Sequence, residues 1–115
     1  MRRVEKPWGH ELIWAETDRY VGKVLHIKAG ERLSLQYHRV KMETIMVSRG
    51  KMAFEHFRDG ETPRVRELGP GEVFHIDPGL RHRMIAIEDT EVFEVSTPDL
   101  DDVVRLEDKY GRTGG

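Results

Sequence analysis

Residues 65–79 read VRELGPGEVFHIDPG, and this stretch decides the fold class of the chain. Two short apolar runs, residues 65–68 and 73–76, each stop at a group of turn-forming residues, GPG at 69–71 and DPG at 77–79. Glycine and proline favour the backbone angles of tight turns and interrupt regular strands. Short runs that are bounded by such residues predict β-strands joined by turns.

The same alternation of short runs and turn residues continues in both directions along the chain. Further strands are predicted over residues 24–27, 33–38, 44–48, 51–57, 82–87 and 91–96. Strands at this spacing, with no long amphipathic helix between them, are typical of an antiparallel sandwich or barrel, so we predict an all-β fold. One short helix is expected near the end, capped by Asp99 or Asp101. Its apolar residues would be Val103, Val104 and Leu106.

The composition limits the partners and the location of the chain. Its 115 residues predict one domain over 1–115, and the net charge of −2 gives no basic excess that would favour nucleic acid or an anionic membrane. There is no cysteine, which excludes disulfide bonds, a thiol nucleophile and thiolate metal ligands. No signal-like or membrane-spanning apolar run occurs, and the expected location is the cytoplasm.

Four polar residues have the chemistry and the spacing of a metal site. Gln36 and His38 are two apart on a predicted strand and therefore face the same side of it. A turn at residues 39–41 would return the chain alongside that strand and bring Glu43 to the same cavity. His82 opens a later strand just after the rigid turn at 77–79. Amide oxygen, imidazole and carboxylate are ligands that a divalent cation of borderline softness accepts.

Spacing alone leaves a second interpretation open, in which these are scattered polar residues with no common ligand. The remaining histidines fit ordinary surface or hydrogen-bonded positions, namely His10, His26, His56 and His75.

Two sequence motifs resemble those of the cupin superfamily. Gly30, Gln36-Tyr37-His38, Glu43 and Gly50 resemble the first motif, and residues 71–82, GEVFHIDPGLRH, resemble the second. The resemblance implies a small β-barrel of the double-stranded β-helix or jelly-roll type. It also implies that one divalent ion is bound by Gln36, His38, Glu43 and His82. Gln36 stands where the motif has its first histidine, and phosphomannose isomerases within the superfamily carry such a Gln-x-His pair.

Three stretches resemble the isomerase domain of type II phosphomannose isomerases, the bifunctional enzymes that also make GDP-mannose. They are residues 6–11 (KPWGHE), 30–38 (GERLSLQYH) and 101–112 (DDVVRLEDKYGR). The resemblance gives a cupin core of about residues 6–112. The chain has no counterpart of the nucleotidyltransferase half, so no pyrophosphorylase activity is expected. The family's arginine two places before the ligand glutamate is Lys41 here, which keeps the charge but not the planar guanidinium.

The resemblance implies a metal-dependent isomerase that interconverts mannose 6-phosphate and fructose 6-phosphate. Lys41 and His75 are the candidates for proton transfer, on the conditions that the pKa of Lys41 is lowered and that His75 faces inward. Arg32, Arg81 and Arg83 lie near the ligands in sequence and are the candidates for binding the phosphate. Mixed nitrogen and oxygen donors accept Zn, Mn, Fe, Co or Ni, and zinc is the ion expected. A homodimer formed through edge strands is also expected.

Two other functions stay open at this point. A cupin that binds a sugar or sugar phosphate without converting it fits the departures from the family pattern at Lys41, Thr44 and Ile45. A metal-dependent oxygenase is disfavoured because Gln36 replaces a histidine.

Overall fold

A computed structural model describes residues 1–108, which form β-strands and turns. Within these residues there is no helix long and apolar enough to cross a membrane. The strands in this range are β1 (Arg2–Lys6), β2 (Gly9–Glu16), β3 (Val21–Ile27), β4 (Leu35–Tyr37), β5 (Glu43–Arg49), β6 (Met52–Phe57), β7 (Arg64–Leu68), β8 (Val73–Ile76), β9 (Arg81–Ala86), β10 (Thr90–Ser96) and β11 (Val104–Glu107).

The strands build two antiparallel sheets, as the all-β prediction required. Over residues 1–108, one sheet has six strands in the order β1-β2-β3-β10-β5-β8, and the other has five in the order β11-β4-β9-β6-β7. From β8 to β11 successive strands alternate between the sheets, which is the connectivity of a jelly roll. The prediction of an all-β barrel of the jelly-roll type is therefore confirmed.

The core lies between the two sheets, because strand alternation sends every second side chain inward. In the six-stranded sheet, Leu25, Val92 and Val47 are register partners and form one buried row. In the five-stranded sheet the buried partners Phe54 and Met84 also belong to the core. Burying one such side chain contributes about 1.5–3 kcal/mol. This packing fixes the strand ends that carry the polar residues described below.

The predicted C-terminal helix is wrong, because β11 (Val104–Glu107) pairs with β4 instead. The pairing satisfies backbone groups at the edge of β4, and β-branched valines suit a strand. Neither predicted cap begins a helix: the Asp99 carboxylate accepts a hydrogen bond from the Thr97 hydroxyl at 2.8 Å, and Asp101 is part of a turn. The end of the predicted core, residues 109–112, lies outside the described residues.

Candidate metal site and its cavity

Three strand ends bring together two histidines and one glutamate. His38 follows β4, and His82 is the second residue of β9, the neighbour of β4 in the five-stranded sheet. Glu43 begins β5 in the opposite sheet. The cluster therefore bridges the two sheets at one end of the barrel interior.

The atoms that would bind a metal face one another in this cluster. The Oε1 atom of Glu43 lies 3.4 Å from Nε2 of His38 and 3.4 Å from Nε2 of His82. One ligand atom from each of the three residues lies within 4.8 Å of the other two. Each of the three side chains is at most 4% exposed. Three buried donors at this separation make a pocket of the size that a single ion fills.

Both imidazole rings are oriented by backbone carbonyl groups. Nδ1 of His38 lies 2.6 Å from the carbonyl oxygen of Asp102, and Nδ1 of His82 lies 2.9 Å from that of Leu80. A carbonyl oxygen only accepts hydrogen bonds, so each Nδ1 carries a proton and donates it. Each Nε2 is then left to bind a metal ion or, if it takes a second proton, to donate to Glu43. Such carbonyl partners are typical of metal-binding histidines.

The donor set fits a divalent cation. Two Nε2 atoms and a carboxylate oxygen converge on one point, and neutral imidazole and carboxylate are ligands of Zn, Mn, Fe, Co and Ni. Gln36 is the register partner of His82 and lines the same cavity, so its amide belongs to the same wall. Burial alone would raise the pKa of Glu43, but hydrogen bonds from His38 and His82 and the charge of Lys41 lower it well below its usual value. Glu43 is thus held as an anion.

The turn between His38 and Glu43 is held by a distant aspartate. The Asp102 carboxylate accepts hydrogen bonds from the backbone N–H groups of Arg39 at 3.0 Å, Val40 at 2.7 Å and Lys41 at 2.8 Å. The turn expected at residues 39–41 is therefore present, and Asp102 fixes it from the segment that precedes β11.

A glycine at the end of the DPG turn places His82 next to His38. The backbone N–H of Gly79 donates to the carbonyl oxygen of His38 at 2.8 Å. Its φ angle of +88° lies in the left-handed region that a residue with a side chain rarely adopts. The turn therefore ties the start of β9 to the end of β4.

The cluster lies in a cavity of about 360 Å³. Buried residues form its floor, and half-buried or exposed residues of β1 and of the segment at 100–105 form its mouth. β1 and β11 are the edge strands of the two sheets, so the cavity opens between two sheet edges. This is enough room for a small sugar-sized ligand.

Buried charges of alternating sign continue from Glu43 along the cavity wall. Lys41 Nζ lies 3.1 Å from Glu43 Oε2 and 3.5 Å from Glu94 Oε2. Lys23 Nζ lies 3.7 Å from Glu94 Oε2 and 3.2 Å from Glu11 Oε2. These five side chains are each at most 11% exposed. Opposite neighbours are what makes such burial of charge tolerable.

The neighbours of Lys41 set its protonation state. Burial would lower the pKa of Lys41, but the carboxylates of Glu94 and Glu43 outweigh burial and raise it. Burial, together with the charge of Glu43, raises the pKa of Glu94 to about 7, against the opposing effect of Lys23 and Lys41. In this geometry Lys41 is an ammonium ion, and it does not have the lowered pKa that its proposed role as a base requires.

His75 is not brought to the cavity. It lies on β8 (Val73–Ile76), where its side chain is 49% exposed and contacts Thr44 at 3.0 Å and Asp77 at 2.9 Å. Its strand neighbour Phe74 packs against the core instead. Only one of two adjacent residues on a strand can face the interior, and here that residue is Phe74.

The three arginines proposed for phosphate binding also lie away from the cavity lining. Arg81 and Arg83 flank His82 on β9, so the period of two that turns His82 inward turns both of them to the other face. The Arg81 guanidinium stacks 4.2 Å from the Tyr37 ring centre. Arg83 donates to the backbone carbonyl of Glu107 at 3.1 Å. Arg32 forms an isolated backbone bridge to Ile85.

Several residues that line the cavity were not predicted from the sequence. Lys23 carried a usable signal, because it shares strand parity with the buried Val21, Leu25 and Ile27. Glu94 carried none, since apolar residues occupy both faces of β10. Arg105 also lines the cavity, and its position depends on the unpredicted strand β11.

Known proteins resemble this chain over most of its length. The family model described as a cupin domain matches residues 23–96. The chain belongs to the cupin family. Among curated relatives of this cupin, the mannose-1-phosphate guanylyltransferase ManC of Salmonella typhimurium is 35% identical, over 96% of this chain and 23% of the relative. The mannose-1-phosphate guanylyltransferase of Escherichia coli K12 is 34% identical, with the same coverage of each chain. The cupin thus spans about a quarter of the length of these relatives, 23% in both.

Solved structures support the cupin fold. The capsular polysaccharide assembling protein CapF of Staphylococcus aureus has a TM-score of 0.77 and 21% identity, over 92% of this chain and 32% of that one. KdgF from Halomonas sp. has a TM-score of 0.70 and 24% identity, over 85% of this chain and 86% of that one. At this level of identity the similarity shows the fold alone.

Proposed function

We propose that this cupin is a metal-dependent isomerase that interconverts the aldose and ketose forms of a sugar phosphate. The observation that carries the proposal is the convergence of two carbonyl-oriented histidines and a buried carboxylate in an open cavity. The proposed metal ligands are Gln36, His38, Glu43 and His82. Zinc is the proposed ion, although the donor set also accepts Mn, Fe, Co and Ni.

The choice of reaction rests on the stretches that resemble phosphomannose isomerases and on relatives whose names refer to mannose 1-phosphate. Mannose 6-phosphate and fructose 6-phosphate are the proposed pair of substrates. The relatives are named as guanylyltransferases, and this chain spans about a quarter of their length. The isomerase activity is therefore our proposal for this chain and not a property taken from the names of its relatives.

The residues of this chain would hold the site in a fixed geometry. A bound divalent ion supplies a Lewis acid that polarises the sugar carbonyl, an effect worth several kcal/mol. His38 and His82 keep their Nε2 atoms aimed at one point because their Nδ1 atoms are fixed by carbonyl groups. The Lys41 ammonium, held between Glu43 and Glu94, supplies a positive charge in the wall and can donate a hydrogen bond to a substrate oxygen.

The proposal is tested by a coupled assay for conversion of mannose 6-phosphate by zinc-loaded protein. We expect turnover by the wild type, loss of turnover in His82→Ala, and retention in His75→Ala, because His75 lies outside the cavity. If zinc-, manganese-, iron-, cobalt- and nickel-loaded proteins all fail to convert the substrate, the isomerase proposal is contradicted.

A second function is favoured by one observation: neither residue chosen for proton transfer meets its condition. His75 faces outward, and the pKa of Lys41 is raised rather than lowered. A cupin that binds a sugar phosphate without converting it needs no such residue. Thermal stabilisation by mannose 6-phosphate without any conversion would identify this function.

We also propose that this cupin forms a homodimer. A homodimer through an edge strand would involve β1, β8, β7 or β11, which end the two sheets. Sedimentation at several protein concentrations tests for a dimer, and a monomer at all of them contradicts it.

We propose a cytoplasmic location, with no nucleic-acid or membrane partner. Fractionation of cells tests the location, and recovery of the protein with membranes would contradict it.

A further inference from the structure

Arg105 occupies a row of the five-stranded sheet that leads to the metal-site residues. It is the register partner of Gln36 on β4, and Gln36 is the register partner of His82 on β9. Directly opposed residues of antiparallel strands project from the same face of a sheet. All three of these residues accordingly line the same cavity.

The Arg105 guanidinium is a half-buried cation without a partner among residues 1–108. No hydrogen bond or ion pair within this range engages its side chain, although it lines the cavity mouth. The other basic residues at the mouth are engaged: Arg2 pairs with Glu16 at 2.9 Å, and Lys6 has a contact of its own. A charge removed from water is stabilised when an opposite charge meets it, so an unpaired guanidinium in a cavity favours an anionic ligand.

The position of Arg105 suits a ligand that also reaches the metal-site residues. Neighbouring strands lie about 4.8 Å apart, so the backbones of Arg105 and His82 are separated by roughly 10 Å, two strand spacings. Because the arginine side chain is long, the distance between its guanidinium and the metal-site residues is shorter than this backbone separation. A small molecule gripped at one end by Arg105 can therefore place its other end at the cluster.

We propose that Arg105 is the residue that binds the phosphate group of the substrate, in the role that the sequence suggested for Arg32, Arg81 or Arg83. This inference rests on the proposed function for the identity of the substrate class, a phosphate monoester of a sugar. The planar guanidinium would make two parallel hydrogen bonds to phosphate oxygens, a geometry that lysine does not reproduce.

The test compares the affinities of metal-loaded protein for mannose 6-phosphate and for mannose by calorimetry. We expect the wild type to prefer the phosphorylated sugar by roughly tenfold or more, and Arg105→Ala to reduce the preference to about threefold or less. Arg105→Lys should retain an intermediate preference. Arg64→Ala is the matched control, because Arg64 is exposed on β7, the opposite edge strand of the same sheet. Circular dichroism melts confirm that each variant is folded.

The outcomes separate this inference from the proposed function. A preference that is absent in the wild type, survives in Arg105→Ala, or is lost equally in Arg64→Ala overturns the role of Arg105. A preference that depends on Arg105, without any conversion of mannose 6-phosphate, supports the role and contradicts the isomerase. Conversion with the same KM in wild type and Arg105→Ala supports the isomerase and overturns the role.

Discussion

The Nδ1 atom of His38 lies 2.6 Å from the backbone carbonyl oxygen of Asp102, a residue 64 positions away in the sequence. The carboxylate of the same aspartate accepts three hydrogen bonds from the backbone of the turn that follows His38. One residue therefore orients the ring of one candidate ligand and fixes the path of the chain to another, Glu43. The segment before β11 thus supports the candidate metal site although it supplies none of the candidate ligands.

Replacing the Asp102 carboxylate should weaken both stability and metal binding. Asp102→Ala leaves the N–H groups of residues 39–41 without their acceptor, and we expect the free energy of unfolding to fall by roughly 1–3 kcal/mol. Zinc affinity should fall about 10- to 100-fold, as for other residues that support metal ligands from outside. Urea denaturation and metal titration measure the two effects. Asp101→Ala is the control, because Asp101 is its exposed neighbour, and equal effects in both variants would contradict the assigned role.

The same carboxylate predicts a loss of stability in acid. Burial would raise the pKa of Asp102, but hydrogen bonds from the backbone of Val40, Arg39 and Lys41 outweigh it and lower the pKa from 3.8 to about 2. A carboxyl group whose pKa is lower in the folded state stabilises the fold above its unfolded pKa. Its contribution is therefore present above about pH 4 and is lost as the pH falls towards 2.

Acid unfolding of the metal-free protein measures this contribution. The difference in unfolding free energy between wild type and Asp102→Asn should shrink as the pH is lowered from about 5 to 2. Asp101→Asn should follow the wild type throughout. A difference for Asp102→Asn that stays constant over this range would show that the carboxylate does not titrate as proposed.

The sequence predicted the strands from β3 to β10 because their signals are local, but it did not predict β1 and β2. Residues 65–79 become β7, a turn and β8, as the GPG and DPG groups indicated. The end of the chain was predicted incorrectly because Val103, Val104 and Leu106 fit a short helix as well as a strand. Pairing with β4 decides between helix and strand. This pairing joins residues 104 and 37, and a contact between residues so far apart in sequence cannot be predicted from local propensity.

The same distinction separates the candidate metal ligands from the candidate substrate-binding residues. Strand parity placed Gln36 and His38 on one face. The same rule, applied to β9, excludes Arg81 and Arg83 from the inward-facing residues, because they flank His82. Nearness in sequence to His82 does not bring their side chains to the cavity, because neighbours on a strand point in opposite directions. The place of Arg105 in the cavity lining could not be predicted in this way, because its position beside Gln36 depends on the pairing of β11 with β4.

The ligand assignment predicts which variants lose metal. After dialysis against zinc, elemental analysis of wild-type protein should give about one ion per chain, as expected for a single site of this kind. His38→Ala and His82→Ala should lose the ion, whereas His75→Ala should retain it because that residue is exposed on β8. Unchanged zinc content in both ligand variants would overturn the assignment.

Metal binding should also stabilise the fold. A ligand that binds only the folded state at 100 times its Kd adds about 2.7 kcal/mol to the free energy of unfolding. We expect the melting temperature to rise with zinc in the wild type and in His75→Ala, and to stay constant in His82→Ala. A rise of equal size in His82→Ala would place the ion elsewhere in the molecule.

Lys41 should be necessary for stability even where the metal is absent. Its Nζ lies 3.1 Å from Glu43 Oε2 and 3.5 Å from Glu94 Oε2, and its side chain is 6% exposed. Lys41→Ala leaves two buried carboxylates without this cation, and breaking a buried ion pair on one side costs roughly 3–5 kcal/mol.

Lys51→Ala is the matched control for Lys41→Ala. Lys51 Nζ lies 3.7 Å from the Glu67 carboxylate, but these side chains are 49% and 62% exposed. A surface pair of this kind contributes about 0–1 kcal/mol, because water already solvates both charges. Chemical denaturation of metal-free wild type and both variants measures the difference. If the two substitutions destabilise the protein equally, Lys41 does not hold the buried charges together.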